Sequence, residues 1–103
     1  MKTVTICGSM RFQKQMCAIA FILETRHSMN VLQCVYDGGH GVTAEEKAAL
    51  AAAHHRKIEL SDAIYVVDID GYIGKSVSEE IEFAKALGKE IIHHSELEDI
   101  SGA

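Results

Sequence analysis

The chain contains no proline and no tryptophan, and only six phenylalanines and tyrosines among 103 residues. Without proline, its turns have to be made by glycine, aspartate, asparagine and serine. The three cysteines, Cys7, Cys17 and Cys34, are odd in number and lack paired spacing. That excludes a disulfide framework and reads as buried thiols in a reducing compartment. Neither H-E-x-x-H nor C-x-x-C occurs. The doublets His54-His55 and His93-His94 diverge on a helix and alternate on a strand, so neither chelates alone, and no metal or other cofactor is expected. No leading signal sequence is evident, and the longest apolar run, near residues 18–23, is too short to span a bilayer. Lysine and arginine form no stripe and the formal net charge is −5. Both features argue against nucleic acid or an anionic membrane as partner. Cytoplasmic residence is the resulting expectation.

What is present suits one soluble domain over residues 1–103. An apolar share of 48% and a charged share of 24% are those of a globular protein, and this length supports a single core. No repeat, linker or low-complexity tract divides it.

Information concentrates at residues 63–89. Residues 64–67 are a short apolar run that suits a strand covered on both faces. Asp68, Asp70 and Gly71 end it, followed by Tyr72. In an open α/β sheet, ligands bind beyond the carboxyl ends of the strands, so both carboxylates lie where chemistry is done, although each also suits an ordinary turn. A helix is expected from Ser76, with Ser76-Val77-Ser78-Glu79 as a capping box. On its wheel, Val77, Ile81, Ala84 and Gly88 share the core face, Glu79 and Glu82 point away, and Glu80 lies on the flank. Glu80 is thus the one acid of this helix leaning toward the sheet. It lies near the positive end of the helix dipole, where an ionised carboxylate is favoured and could act as a nucleophile.

Residues 3–7 are the expected first strand. Gly8-Ser9-Met10-Arg11 follows as a candidate anion cradle of backbone N–H groups, a hydroxyl and a guanidinium; the alternative is a tight turn with Ser9 as N-cap. A helix over 11–26 presents Phe12, Met16, Ile19, Ala20 and Leu23 to the core. Cys17, Ala18, Phe21 and Ile22 cover much of its remainder, which predicts a homodimer packed through this helix. A second strand is expected over 31–36, then a glycine-rich loop at 37–41 that either closes over a ligand or merely connects. Thr43-Ala44-Glu45-Glu46 repeats the capping-box pattern and opens a helix to about residue 60. The basic cluster within His54-His55-Arg56-Lys57-Ile58 near its end is accounted for by the helix dipole, the alternative being that a histidine there reaches the site. A fourth strand spans 90–93, and residues 95–103 form an acidic tail with no assigned role.

The order βαβαβαβ predicts an open parallel sheet, flavodoxin-like or Rossmann-like, with strand order 2-1-3-4 and helices on both faces. The crevice between strands one and three is the switch point. Gly8, Ser9 and Arg11 would line it from one side, and Asp68, Asp70, Ser76 and Glu80 from the other.

At these residues the chain resembles the nucleoside 2-deoxyribosyltransferase-like superfamily, which includes the 2'-deoxynucleoside 5'-phosphate N-hydrolases. The resemblance runs from Ile6-Cys7-Gly8-Ser9-Met10-Arg11 to Leu87-Gly88-Lys89 and is strongest from Ser61 to Ala84. It implies cleavage or transfer of the N-glycosidic bond of a nucleoside or its 5'-monophosphate. The family's glutamate nucleophile would fall on Glu80, in Glu80-Ile81-Glu82-Phe83-Ala84. The phosphate loop would be Gly8-Ser9-Met10-Arg11, the assisting serine Ser76 or Ser78, and the acid near the third strand Asp68 or Asp70. Two departures stand out. Thr5 occupies the position of a first-strand tyrosine, and the segment before the second helix is short. A module that binds a nucleotide-like ligand without cleaving it is the alternative.

Overall fold

The computed structural model describes residues 1–36 and 41–97. The expectations for the loop at 37–40 and the tail at 98–103 lie outside the described residues. The elements are β1 (Lys2–Cys7), α1 (Gln13–Arg26), β2 (Met29–Leu32), α2 (Ala44–Leu60), β3 (Ala63–Val66), α3 (Lys75–Ala86) and β4 (Glu90–His93), with 3-10 turns at Met10–Phe12, Ile69–Gly71 and His94–Glu96. The four strands pair in parallel in the order β2-β1-β3-β4. This is the expected α/β sheet. No helix among the described residues is long and apolar enough to cross a membrane.

Strand alternation sorts the core into two layers. Val4, Ile6, Ala63, Tyr65 and Val67 pack with Met16, Ile19, Ala20 and Leu23 of α1. On the opposite face Cys7, Ile64 and Val66 pack with Ile58 of α2 and with Val77, Ile81 and Ala84 of α3. β3 is therefore buried on both sides, as its unbroken apolar run requires. Only Cys7 is a buried thiol; Cys34 is half-buried and Cys17 is exposed on α1, which corrects the expectation of three buried thiols.

Several element ends differ from those expected. Ser9 caps the 3-10 turn by accepting the Arg11 N–H, so α1 proper begins at Gln13. Ser28 adopts a left-handed φ of 53° and turns the chain early. β2 therefore starts at Met29, and its ladder with β1 ends at Leu32. The Thr43 capping box forms, with Thr43 Oγ1 accepting the Glu46 N–H at 3.0 Å and Glu46 Oε1 accepting the Thr43 N–H at 2.9 Å. The box expected at Ser76 does not form. Gly74, extended at ψ 173°, is the N-cap of α3 and provides no side-chain cap. Ser76 is thereby carried into the first turn. The first half of α2 buries nothing; its buried residues are His54 and Ile58.

Asp68 joins the ends of β3 and β4. Its buried carboxylate accepts the Ser95 N–H and hydroxyl, each at 2.8 Å, and lies 3.2 Å from His93 Nδ1. Burial alone would raise its pKa, but the Ser95 and His93 hydrogen bonds outweigh it and hold the carboxyl below its ordinary value. Because the folded pKa is depressed, the stabilisation is complete above the unfolded value of about 3.9 and is lost as pH falls through the lower folded value. Asp68→Asn should cost about 1–3 kcal/mol at neutral pH. Urea titrations from neutral pH down into the acid range should also show a flatter acid limb in the variant.

Candidate functional site

At the carboxyl end of the central strand pair lies a cleft of about 710 Å³. Gly8, Ser9 and Met10 line it from the β1 exit, and Tyr72, Gly74, Lys75, Ser76 and Glu80 from the β3–α3 segment. Residues of α2, including Lys47, Leu50 and His54, form a third wall. Glu80 thus shares one hollow with the glycine–serine bend.

The bend is closely fitted. A Cβ on Gly8 would lie 2.6 Å from Met16 Sδ and 3.1 Å from Val67 Cβ. Only glycine lets β1 leave the sheet this close to β3. Arg11 is not among the lining residues. Its guanidinium carbon sits 3.8 Å above the centre of the Tyr72 ring, and Phe12 meets the same ring edge-on. Arg11 therefore joins the two lips of the cleft through Tyr72, an arrangement that exposed cation–π contacts support modestly.

The acids divide. Glu80 is 18% exposed in its side chain. Asp68 and Asp70 are not among the lining residues. The former is committed to Ser95 and His93, and the latter is exposed in the left-handed turn at φ 55°. Gly71, at φ 76°, completes that turn without lining the cleft. Ser76 reaches the cleft from the first turn of α3, whereas Ser78 is exposed and is not a lining residue. Of the carboxyls among the described residues, Glu79 is the other that lines it.

Glu80 has two neighbours, one of them a histidine of the α2 cluster and the other a cysteine that sequence does not pair with it. His54 Nε2 lies 3.5 Å from Glu80 Oε1 and 3.4 Å from Cys7 Sγ. Burial first, then the neighbouring Glu80, pushes the Cys7 thiol well above its ordinary pKa, so it stays protonated. One signal does point to His54. It precedes the buried Ile58 by four residues, the spacing of one helix face. Adjacent His55 stacks on Phe83 with ring centres 4.5 Å apart. Thr5 is fully buried, and its hydroxyl is 2.6 Å from that of Ser61, which donates to the Lys57 carbonyl. It has no route to a ligand.

No protein-family model matches the chain, nor does any curated protein.

The tight approach at Gly8 yields a direct test. Gly8→Ala has to displace buried Met16 and the Val67 side chain, and should lower stability by about 1–3 kcal/mol, read as a reduced urea midpoint with an unchanged slope.

Proposed function

We propose that this cleft cleaves or transfers the N-glycosidic bond of a nucleoside or its 5'-monophosphate, with Glu80 as nucleophile. The observation that carries the reading is the sharing of one cleft by Glu80, the Gly8–Ser9 bend and the uncapped start of α3. An unpartnered helix start favours an anionic group, and Lys47 and Lys75 add positive charge to the lining. The sugar's anomeric carbon would then face Glu80 while a 5'-phosphate meets Ser9, Ser76 and these cations. Glu80 attacks C1' as the bond to the base breaks, giving a glycosyl ester. The base leaves with the bonding pair and takes up a proton, for which Glu79 is the nearest counterpart of the acid the family resemblance places at Asp68 or Asp70. Water or a second base releases the sugar.

Incubation with deoxynucleoside 5'-monophosphates should release free base, followed by chromatography. Glu80→Gln should lower the rate by about 10³-fold or more, and Asp70→Asn should leave it near that of the parent. Full activity in Glu80→Gln would end the nucleophile assignment.

A second reading is favoured by the absence of a free hydroxyl at Thr5 and by the contact between Glu80 and His54: a nucleotide-binding module without turnover. Thermal stabilisation by a nucleotide with no product formed would select it.

A second copy of the chain is proposed to pack on α1, where Phe21 is 66% exposed. Light scattering at micromolar concentration should give the mass of a dimer, and Phe21→Glu that of a monomer.

A further inference from the structure

Cys7, His54 and Glu80 come from three different elements, the end of β1, the later turns of α2 and the second turn of α3. Among the described residues they are the group of three such side chains that each bring one donor atom within 4.8 Å of the others. The measured separations are 3.4 Å from Cys7 Sγ to His54 Nε2 and 3.5 Å from that nitrogen to Glu80 Oε1. A tetrahedral zinc ion with sulfur at about 2.3 Å and nitrogen or oxygen at about 2.0–2.2 Å holds its ligand atoms roughly 3.3–3.6 Å apart. These two separations match edges of such a tetrahedron, and the third pair of donor atoms, Cys7 and Glu80, lies within 4.8 Å.

We propose that Cys7, His54 and Glu80 form a binding site for zinc or a chemically similar transition-metal dication, with its fourth position open to the cleft. Sulfur, imidazole and carboxylate together select zinc over magnesium and calcium, which prefer all-oxygen shells. Charge supports the same choice. A thiolate and a carboxylate balance a dication, whereas the two anions without one would repel in a site where Cys7 is 1% exposed. On binding, the Cys7 thiol gives its proton to solvent, sulfur and metal share the freed electron pair, and no oxidation state changes. His54 Nδ1 is buried with no hydrogen-bond partner among the described residues. No neighbour there dictates the ring's tautomer, and metal at Nε2 places the proton on Nδ1.

This site uses the carboxylate assigned above as nucleophile but does not depend on glycosyl chemistry. If both hold, zinc silences Glu80 by occupying it. The ligand spacing, 47 residues from Cys7 to His54 by sequence separation, belongs to no short motif, so the site is invisible in the sequence.

The experiment uses the full chain, reduced, stripped with a chelator and titrated with cobalt(II). One equivalent should bind and give visible bands of tetrahedral intensity together with a thiolate-to-cobalt charge-transfer band, and zinc should displace it. Cys7→Ser should abolish the charge-transfer band, and Glu80→Gln and His54→Gln should each weaken zinc binding by more than about tenfold. Cys17→Ser and Cys34→Ser should leave the spectrum unchanged. Circular dichroism checks that each variant folds; where Cys7→Ser does not, the Glu80→Gln and His54→Gln titrations carry the test. Absence of the thiolate band, its loss in Cys34→Ser, or unchanged zinc binding in folded Glu80→Gln and His54→Gln would overturn the site. Because binding is read by absorption, its failure is distinct from failure to release a base.

Discussion

Val67 donates its N–H to the Cys7 carbonyl at 2.8 Å, one step beyond the last paired residues of β1 and β3, Cys7 and Val66. That extra rung carries the pairing to the point where both strands must leave the sheet. It fixes Gly8 against Met16 and Val67 and sets the direction in which the chain departs on each side. The bend of Gly8 to Met10 and the segment of Tyr72 to Ser76 then face one another across the gap. A Cβ at residue 8 would push the Met16 side chain aside and crowd Val67 at this point, so the bend depends on a hydrogen bond and on the absence of a single Cβ.

The same pairing explains which side chains meet below the cleft. Thr5 and Cys7 project to the face covered by α2 and α3, because strand residues alternate. Thr5 is one pair lower and is closed off by Ser61. Cys7, at the end of the strand, meets His54 and Glu80, which arrive from the two helices and line the cleft. The polar cluster is thus set by β-strand parity and by the helix stripes that bury Ile58 and Ile81. Placing the donors there costs desolvation, which the thiol meets by keeping its proton.

Much of this was legible in the chain itself, and the residues show why. The continuous apolar run of β3, the i, i+4, i+7 pattern of Met16 to Leu23 and the Thr43 box are local signals backed by tertiary packing, so they survive folding. The strand order followed from crossover topology and needed no side-chain detail. The Ser76 box failed because Gly74 took the cap, and cap choice depends on how the preceding turn enters the helix. Asp68 could be placed at the end of its strand but not paired, since its partners are the last residue of β4, His93, and Ser95 just beyond it. Which histidine of α2 reaches the site was hidden for a related reason. The doublet of His54 with His55 carries no face preference until the packing of Ile58 sets the rotation of α2, after which one ring turns in to Glu80 and the other stacks on Phe83.

Electrostatically the cleft is graded. Its floor holds groups that are acidic or nearly neutral, while Lys47 and Lys75 line the cleft and are themselves exposed, and the first-turn N–H groups of α3 carry partial positive charge. A ligand with an anionic group at one end gains by setting that group among these donors, which leaves its less polar portion toward Glu80. A bare dication gains by the opposite placement, at the floor between sulfur and carboxylate. Both cannot draw fully on Glu80 at once, because the oxygen lone pairs that would attack carbon are those that would bind metal. Glu80, 3.5 Å from His54, is the pivot of that competition, because it lies within reach of both the cleft and the Cys7 sulfur.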